Sequence, residues 1–509
     1  MLACAVEYDM NKPSVFKNTA LITTLSCLER GLGFFYRIVL ARLLGAEGVG
    51  VYQIALSHCM LFQTAAGGGI PVTLSRTVSS LNADGKTRQR GSALLAALTL
   101  GACISLPITL ILFPLAGAIP LFSADAPVLK ILLLSLCATS AYVAIKGYFW
   151  GNKQFLAPAL FEMAEQILTV LLGVALLSGA RGFSAVEGAS LAAWAHTLAC
   201  LGAFLLSLLV LLCNKPQFSS PTPFLSPLLK SAAPITAVRT GSTLINAAVA
   251  VLLPATLVRT GMSESAALQA FGVVTGMVIP LLGMPLTIIG SLAIVLVPEL
   301  AEDFQKRNLR RVAKNVERGV FFAVAVACLI IPFFLAVGKP LGAITYQNSL
   351  AGEMLARCAP LLLPLSATAI LTSMLNSLGF ERQTFVFSLF GSAVLLLSIL
   401  LLPARLGIYA YPIGLLLQFL LEAVCSLRLL KKHCPPSKRF YQKTGLCVLL
   451  TPLLGGFGRF AFVGFSLFLG TKLATFCACI CLAIAAFAVY TGCKLIPRAI
   501  FQKKSSSNP

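Results

Sequence analysis

Residues 319–338 read GVFFAVAVACLIIPFFLAVG, an uncharged and almost wholly apolar run of twenty residues. This is the length at which an α-helix crosses the hydrocarbon core of a bilayer, which is about 30 Å thick. Lipid offers no hydrogen-bond partners, so such a segment must be helical to satisfy its own backbone. Hydrophobic residues make up 58% of the 509-residue chain and charged residues only 11%, against about 25% in soluble domains. The sequence therefore predicts an all-α integral membrane protein that crosses the bilayer many times.

About fourteen long apolar segments can be recognised in the chain, this run among them. The connections between the first two and between the last two are short or weakly polar, so a count of twelve or thirteen remains open there. The predicted spans are 16–41, 49–75, 91–119, 127–150, 155–180, 187–213, 228–257, 267–298, 319–338, 355–378, 384–403, 407–427, 444–470 and 473–493.

The basic residues are distributed unevenly between the two sets of loops. With the N-terminus placed in the cytoplasm, 26 of the 39 Lys and Arg residues fall on the inside, nine on the outside and four within spans. By the positive-inside rule both termini are predicted to be cytoplasmic. The net charge of +22 is then explained by loops that face anionic lipid rather than nucleic acid.

Motifs for catalysis and metal binding are absent from the sequence. The 16 cysteines are scattered without a C-x-x-C pair, and there are only three histidines, so neither a metal site nor another cofactor is expected. The sequence has no nucleotide-binding loop, nucleophile elbow or H-E-x-x-H motif. The chain is predicted to be a transporter and not an enzyme.

Two parts of the chain share a layout. In the first part, a small-residue stretch leads to Pro71 and is followed by a basic loop and a tight turn at 151–155. In the second part, Gly290 leads to Pro298 and is followed by a similar loop and a turn at 379–383. The offset of 227–229 residues contains six spans, which predicts two parallel six-helix lobes, as in some transporters. The predicted domains are 1–215, 216–435 and a third segment, 436–509, with two extra spans and a basic tail. A chance match of a few residues is the alternative.

Residues 29–50, ERGLGFFYRIVLARLLGAEGVG, resemble the opening motif of a known family. The pattern R-x-L-G-F-x-x-R-I-x-x-A-R-x-L-G-x-x-G-x-G is similar to that of the stage V sporulation protein B and polysaccharide-exporter branch of the MOP superfamily. Residues 69–72, 234–239, 276–281 and 297–300 are also similar to this branch. The resemblance implies a fourteen-span, MATE- and MurJ-like flippase for lipid-linked oligosaccharides. The related MurJ proteins move lipid II, and the second arginine of their first span falls at Tyr36 here.

Arginines inside the predicted spans are the strongest candidates for substrate binding. A charge in a span costs at least about 2.5 kcal/mol and is usually functional or paired. These arginines are predicted to bind the pyrophosphate of an isoprenoid carrier across a cleft between the lobes, because a guanidinium group can donate two parallel hydrogen bonds to phosphate oxygens. They are Arg30, Arg37 and Arg239, with Arg42 at the end of the first span. The alternatives are a local Arg30–Glu29 pair and interfacial anchoring by Arg37 and Arg42.

Carboxylates and one histidine suggest coupling to an ion. Glu29, Glu162 and Glu165 lie in or near spans, with the last two on one helical face. A histidine side chain can also carry a proton, which makes His58 a further candidate. They are predicted to couple transport to H⁺ or Na⁺. The alternatives are that each carboxylate closes an ion pair and that His58 is a hydrogen-bonded packing residue.

Taken together, these features predict an alternating-access flippase for lipid-linked oligosaccharide or peptidoglycan precursors in a bacterial plasma membrane, serving cell-wall or spore-cortex synthesis. The expected partners are the lipid-linked substrate, membrane lipids and a coupling ion, and the protein is expected to be monomeric. Two alternatives remain, a cation-coupled multidrug exporter and a non-transporting scaffold of the envelope or of sporulation.

Overall fold

The structure, a computed structural model, describes residues 15–119, 122, 125–179, 182–214, 216–433 and 435–493. Within these ranges the chain is helical and contains no strand. The helices form two compact units divided after Gly276. The first unit contains α1 (Val15–Gly67), α2 (Ile70–Ala83), α3 (Arg90–Leu115), α4 (Ala126–Leu133), α5 (Leu136–Gly151), α6 (Leu156–Gly179), α7 (Ala185–Cys213), α8 (Thr222–Arg259) and α9 (Glu264–Gly272).

The second unit begins within a π-helical turn, Val273–Val278, that follows α9. Its helices include the long α12, which carries the apolar run 319–338. They are α10 (Ile279–Gly283), α11 (Leu286–Gln305), α12 (Leu309–Tyr346), α13 (Ser349–Cys358), α14 (Leu362–Ser377), α15 (Glu381–Leu401), α16 (Pro403–Leu406), α17 (Ala410–His433), α18 (Lys438–Ser466) and α19 (Thr471–Gly492).

The number of spans agrees with the prediction. Twelve helical segments of the described chain are long and apolar enough to cross a membrane, and a thirteenth is formed by α4 and α5, which meet at a bend of 43°. One of the twelve, Thr24–Ala83, has 60 residues and would be about 90 Å long if straight, enough for two crossings. It bends at Gly45, whose φ of 70° is one that residues with a Cβ rarely adopt. The expected all-α fold with about fourteen spans is confirmed.

Close helix contacts hold the first unit together. Gly147 and Gly151 of α5 face α2, where an added Cβ would lie 2.7 Å from Pro71 Cα and 2.6 Å from Val78 Cβ. A second close contact joins α1 to α9, since a Cβ at Gly272 would overlap the carbonyl oxygen of Ala46. Small residues allow helices in a membrane to approach until their backbones touch. Since α1 also packs against α6, α7 and α8, it is the central element of the unit.

The two extra C-terminal helices belong to the core of the second unit. Leu454 of α18 and Leu482 of α19 are buried in the same cluster as Cys328 of α12. A Cβ at Gly458 would lie 2.9 Å from the Cβ of Ala336, also on α12. Glycine in α18 therefore serves close helix packing.

The two tight turns matched in the sequence close in the same way. After α5 the amide of Gln154 donates to the carbonyl of Phe149, and after α14 the amide of Phe380 donates to that of Leu375. The residue before each donor has a positive φ, 62° at Lys153 and 84° at Gly379, as in the usual helix stop. The predicted lobe boundaries stay a prediction. The N-terminal 14 residues and the basic tail after residue 493, on which the prediction of cytoplasmic termini depends, lie outside the described residues.

Candidate functional site

A polar cavity lies inside the first unit, enclosed by α1, α5, α6 and α7. Its volume is about 350 Å³. It is unusual for a membrane-embedded unit because five of its side chains carry a formal charge. The lining residues are Glu29, Gly33, Tyr36, Arg37, Leu40, Tyr52, Gln53, Leu56, Met60, Lys146, Glu162, Glu165, Gln166, Thr169 and His196.

An ion pair between α5 and α6 forms one wall of the cavity. Lys146 Nζ donates to Glu162 Oε1 at 2.7 Å, and the two side chains are only 15% and 32% exposed. The ammonium also lies 4.8 Å from the ring centroid of Tyr142 and 6.0 Å from that of Trp150, where the faces of the rings attract a cation. Lys146 is thus held between a carboxylate and two aromatic rings.

A second group of polar side chains joins α6 to α7. Cys200 Sγ donates to Glu165 Oε1 at 3.5 Å and lies 3.6 Å from His196 Nε2. Glu162 and Glu165 both line the cavity, as their spacing of three residues on one helix requires. Of the two carboxylates, Glu162 closes an ion pair, which was the alternative to a coupling role, and Glu165 accepts a weak hydrogen bond.

The face of α1 completes the site. Four residues of α1 recur at intervals of three, four and seven residues, so they share one face of the helix. They are Glu29, Gly33, Tyr36 and Arg37, and all of them line the cavity. Arg37 is exposed and Glu29 is half-buried. A Cβ at Gly33 would lie 3.5 Å from Gln166 Oε1, so the absent side chain of this glycine leaves part of the cavity open.

Arg239 is not among the residues that line the cavity, and it contacts the backbone at the interruption between α1 and α2. Between α1 and α2 the helix is interrupted at Gly68 and Gly69. Arg239 Nη1 donates to the carbonyl of Gly68 at 2.7 Å, and the amide of Gly69 donates to Thr236 Oγ1 at 2.9 Å. Two side chains of α8 thereby satisfy an acceptor and a donor that the break would leave without partners.

The other predicted residues also lie away from the cavity lining. Arg30 and Arg42 are exposed. His58 is 1% exposed and pairs with Asp125, also 1% exposed, at 3.0 Å between Nδ1 and Oδ2. The ring of Phe122 stands edge-on to that of His58, with the centroids 4.8 Å apart. This is the hydrogen-bonded packing environment that was the alternative to a coupling role for His58.

The structure thus brings Arg37, Glu29, Glu162 and Glu165 together at one cavity. It also places there residues for which the sequence predicted no role. Lys146 and His196 are the main additions, along with the amides of Gln53 and Gln166. Lys146 and His196 are polar residues inside predicted spans, and the rule that singled out the arginines would also have singled out Lys146. Within the described ranges no group of three His, Cys, Asp or Glu residues could hold a metal ion.

In chemical terms the cavity offers fixed donors and fixed acceptors side by side. Lys146, Arg37 and the two amides donate, while three carboxylates and the amide oxygens accept. The thiol of Cys200, which donates to Glu165 and lies beside His196, is not among the residues that line the cavity. The arrangement is suited to binding and releasing a polar group.

The sequence is similar to those of known proteins. Residues 15–304 match the family described as "Polysaccharide biosynthesis protein". Stage V sporulation protein B of Bacillus subtilis (strain 168) is 27% identical over 454 residues, which cover 84% of this chain and 86% of that protein.

Two solved structures share the fold. Lipid II flippase MurJ in an inward closed conformation has a TM-score of 0.69 at 14% identity, covering 94% of this chain and all of the other. An inward-facing multidrug resistance MATE family transporter of the MOP superfamily has a TM-score of 0.63 at 13% identity, covering 82% of this chain and 95% of the other.

Proposed function

The chain belongs to the polysaccharide biosynthesis protein family, a group of MOP-superfamily membrane transporters, and from this premise we propose that it flips a lipid-linked oligosaccharide. The substrate class is an isoprenoid pyrophosphate that carries a glycan, and the mechanism is alternating access. The membrane is a bacterial plasma membrane, with both termini on the cytoplasmic side, as the 26 inward basic residues suggest.

The observation that carries the proposal is the position of Arg37 on the wall of a polar, membrane-embedded cavity. Arg30 precedes it by two helical turns on the same face of α1, about 10 Å along the axis. Two guanidinium groups at that spacing provide forked donors for the oxygens of a pyrophosphate. Arg42 follows Arg37 by five residues and lies on a different face of α1, where it would add positive charge near the end of the span. Arg239 would contribute from α8 with the donors that its bond to Gly68 leaves over.

Coupling to H⁺ or Na⁺ is proposed for the carboxylates of the same cavity. Glu29 and Glu165 have no lysine or arginine bonded to them in the described chain, whereas Glu162 is paired with Lys146. A proton or sodium ion at Glu29 or Glu165 would change the charge balance around Lys146 and Arg37. His58 would contribute through its pair with Asp125. The protein acts as a monomer in this proposal.

The relatives suggest a biological setting. A sporulation protein is among them, which favours a role in building the spore cortex or the cell wall. A MATE-type multidrug exporter is the second candidate function, because MATE transporters share the fold and a carboxylate-lined cavity could attract organic cations.

The test is translocation of a fluorescent isoprenoid pyrophosphate oligosaccharide in proteoliposomes. Wild-type protein is expected to flip it, and Arg30→Ala, Arg37→Ala and Arg239→Ala should slow flipping. Charge reversal in Arg37→Glu should abolish it while the protein still inserts. Arg405→Glu, at an exposed arginine of the second unit, is the matched control and should retain activity. Efflux of a cationic dye without lipid flipping would instead favour the multidrug exporter.

A further inference from the structure

We propose that the cavity of the first unit binds a sugar ring of the transported lipid, so that the glycan is recognised inside the unit and not only by its pyrophosphate. The inference rests on the proposed function and deepens it by assigning a site to one part of the substrate. The lining residues that carry it are Glu29, Arg37, Lys146, Glu165 and Gln166.

The charge of the cavity argues against an ionic ligand. Glu29, Glu162 and Glu165 face Arg37 and Lys146, so the formal charge is −1, and one of the three carboxylates is already paired with Lys146. A phosphate placed among three carboxylates would be repelled. An organic cation that fills the cavity, unlike a proton or sodium ion bound at a single carboxylate, would have to approach Lys146 and Arg37. A neutral group meets neither penalty.

The hydrogen-bonding groups of the cavity match a polyol. Each sugar hydroxyl donates one hydrogen bond and accepts up to two, so it needs neighbours of both kinds. Carboxylates supply acceptors, Lys146 and Arg37 supply donors, and the amides of Gln53 and Gln166 supply both. Thr169 on the same wall adds a side-chain hydroxyl, although that group already donates to the carbonyl of Glu165. An apolar drug would leave most of these groups unsatisfied.

The size of the cavity limits the ligand. Its volume of about 350 Å³ is at the lower end of the ~300–1,000 Å³ typical of small-molecule sites. A single sugar ring fits this space, whereas an isoprenoid tail or a large drug does not. The rings of Tyr36 and Tyr52 line the cavity and offer an apolar surface to the C–H face of a sugar.

The position of the cavity also suits the covalent structure of the substrate. The first sugar of a lipid-linked oligosaccharide is bonded directly to the pyrophosphate. Arg37 is on the cavity wall, with Arg30 two turns away on the same helix, so a phosphate held by these arginines would leave its sugar beside the cavity. The arginines would then hold the charged group and the mixed polar wall would hold the ring.

Two glycines of α1 provide a matched pair of variants. A leucine at Gly33 would point toward Gln166 and fill the cavity, because an added Cβ is in ordinary contact distance there and meets no backbone. A Cβ added at Gly31 would meet no atom within 4 Å, so a leucine there begins in open space. Both changes place the same side chain in the same helix, but only one removes space from the site. Gln166→Leu is a second cavity variant, which removes the amide without a change at a glycine.

The experiment is saturation-transfer NMR on the full-length protein in detergent, with methyl β-glucoside and methyl N-acetyl-β-glucosaminide as probes. Tetramethylammonium and inorganic pyrophosphate are the ionic comparison probes. We expect a sugar signal from wild type and Gly31→Leu that falls at least fivefold in Gly33→Leu and in Gln166→Leu. Absence of a sugar signal from wild type, an unchanged signal in the folded cavity variants, or binding of the ionic probes alone would each overturn the inference.

The same proteins in the lipid-flipping assay separate this inference from the proposed function. Sugar binding that is lost in Gly33→Leu, together with no flipping of any lipid by wild type, would reject the flippase and leave the sugar site. Wild-type flipping of the sugar-bearing lipid that persists unchanged in Gly33→Leu would reject the sugar site and leave the flippase. If Gly33→Leu does not fold, Gln166→Leu decides both comparisons.

Discussion

Removing the cation of the cavity is the most informative perturbation of this protein. Lys146 and Glu162 form an ion pair at 2.7 Å with side chains 15% and 32% exposed. We expect Lys146→Met to destabilise the first unit, because Glu162 would lose its partner and three carboxylates would share the cavity with Arg37 alone. Glu162→Gln should also destabilise it, and the double variant should lose less than the sum of the two.

The magnitude follows from the surroundings of the pair. Two unit charges 4 Å apart interact by about 4 kcal/mol at the effective dielectric constant of about 20 found near protein surfaces. Breaking a fully buried pair costs about 3–5 kcal/mol, and an exposed pair contributes about 0–1 kcal/mol. Partial exposure places Lys146–Glu162 between these limits, so we expect a coupling free energy of about 2 kcal/mol.

The assay is a double-mutant cycle in which unfolding is driven by SDS in mixed micelles. The control is the ion pair of Glu353 and Arg357, one turn apart in α13 with side chains 42% and 57% exposed, whose coupling should be about 0.5 kcal/mol or less. Additive effects of Lys146→Met and Glu162→Gln would refute the reasoning, as would a coupling no larger than that of the control pair.

Three further changes test other contacts. Gly272→Ala should destabilise the first unit by about 1–3 kcal/mol through overlap with α1, whereas Gly283→Ala, where an added Cβ meets nothing within 4 Å, should be neutral; equal unfolding midpoints would contradict this. Arg239→Ala should cost about 1–3 kcal/mol by leaving a carbonyl of the helix break without its partner, and wild-type stability would show that the bond is dispensable. Asp125→Ala should lower the thermal midpoint, since buried His58 loses its partner, and an unchanged midpoint would reject that pairing.

The spans were predictable because the bilayer fixes their length. A segment such as 319–338 needs no knowledge of its neighbours to be recognised, since lipid imposes helix and apolarity on each crossing separately. The span predicted at 267–298 was less accurate. The structure divides this region into α9, a π-helical turn, α10 and α11, which continues to Gln305. Pro280 and Pro285 indicate irregularity, but the residues at which each helix ends are set by tertiary packing, which the local sequence does not contain.

The sequence predicted the type of residue at the candidate site, but not which residues lie together there. Charge inside a span identified Arg37 and the carboxylates, and the same rule could have identified Lys146. The role of Arg239 could not be deduced in this way, because its partner Gly68 is 171 residues away in the sequence. His58 and Asp125 are 67 residues apart, and neither position carries a local signal that names the other. Pairings of this kind follow from the tertiary fold alone.

The concentration of charge in one cavity is itself an argument for function. Five side chains with a formal charge line it, and inserting each into a membrane costs at least about 2.5 kcal/mol, a total comparable to the 5–15 kcal/mol by which a folded protein is stable. The Lys146–Glu162 pair recovers part of this cost but leaves Glu29, Glu165 and Arg37 to be compensated. Close packing achieves stability more simply, as the apolar cluster around α12 shows. A cavity that retains this many charges is better explained by a ligand that uses them, and mixed donors and acceptors at near-neutral charge favour the glycan over the ion.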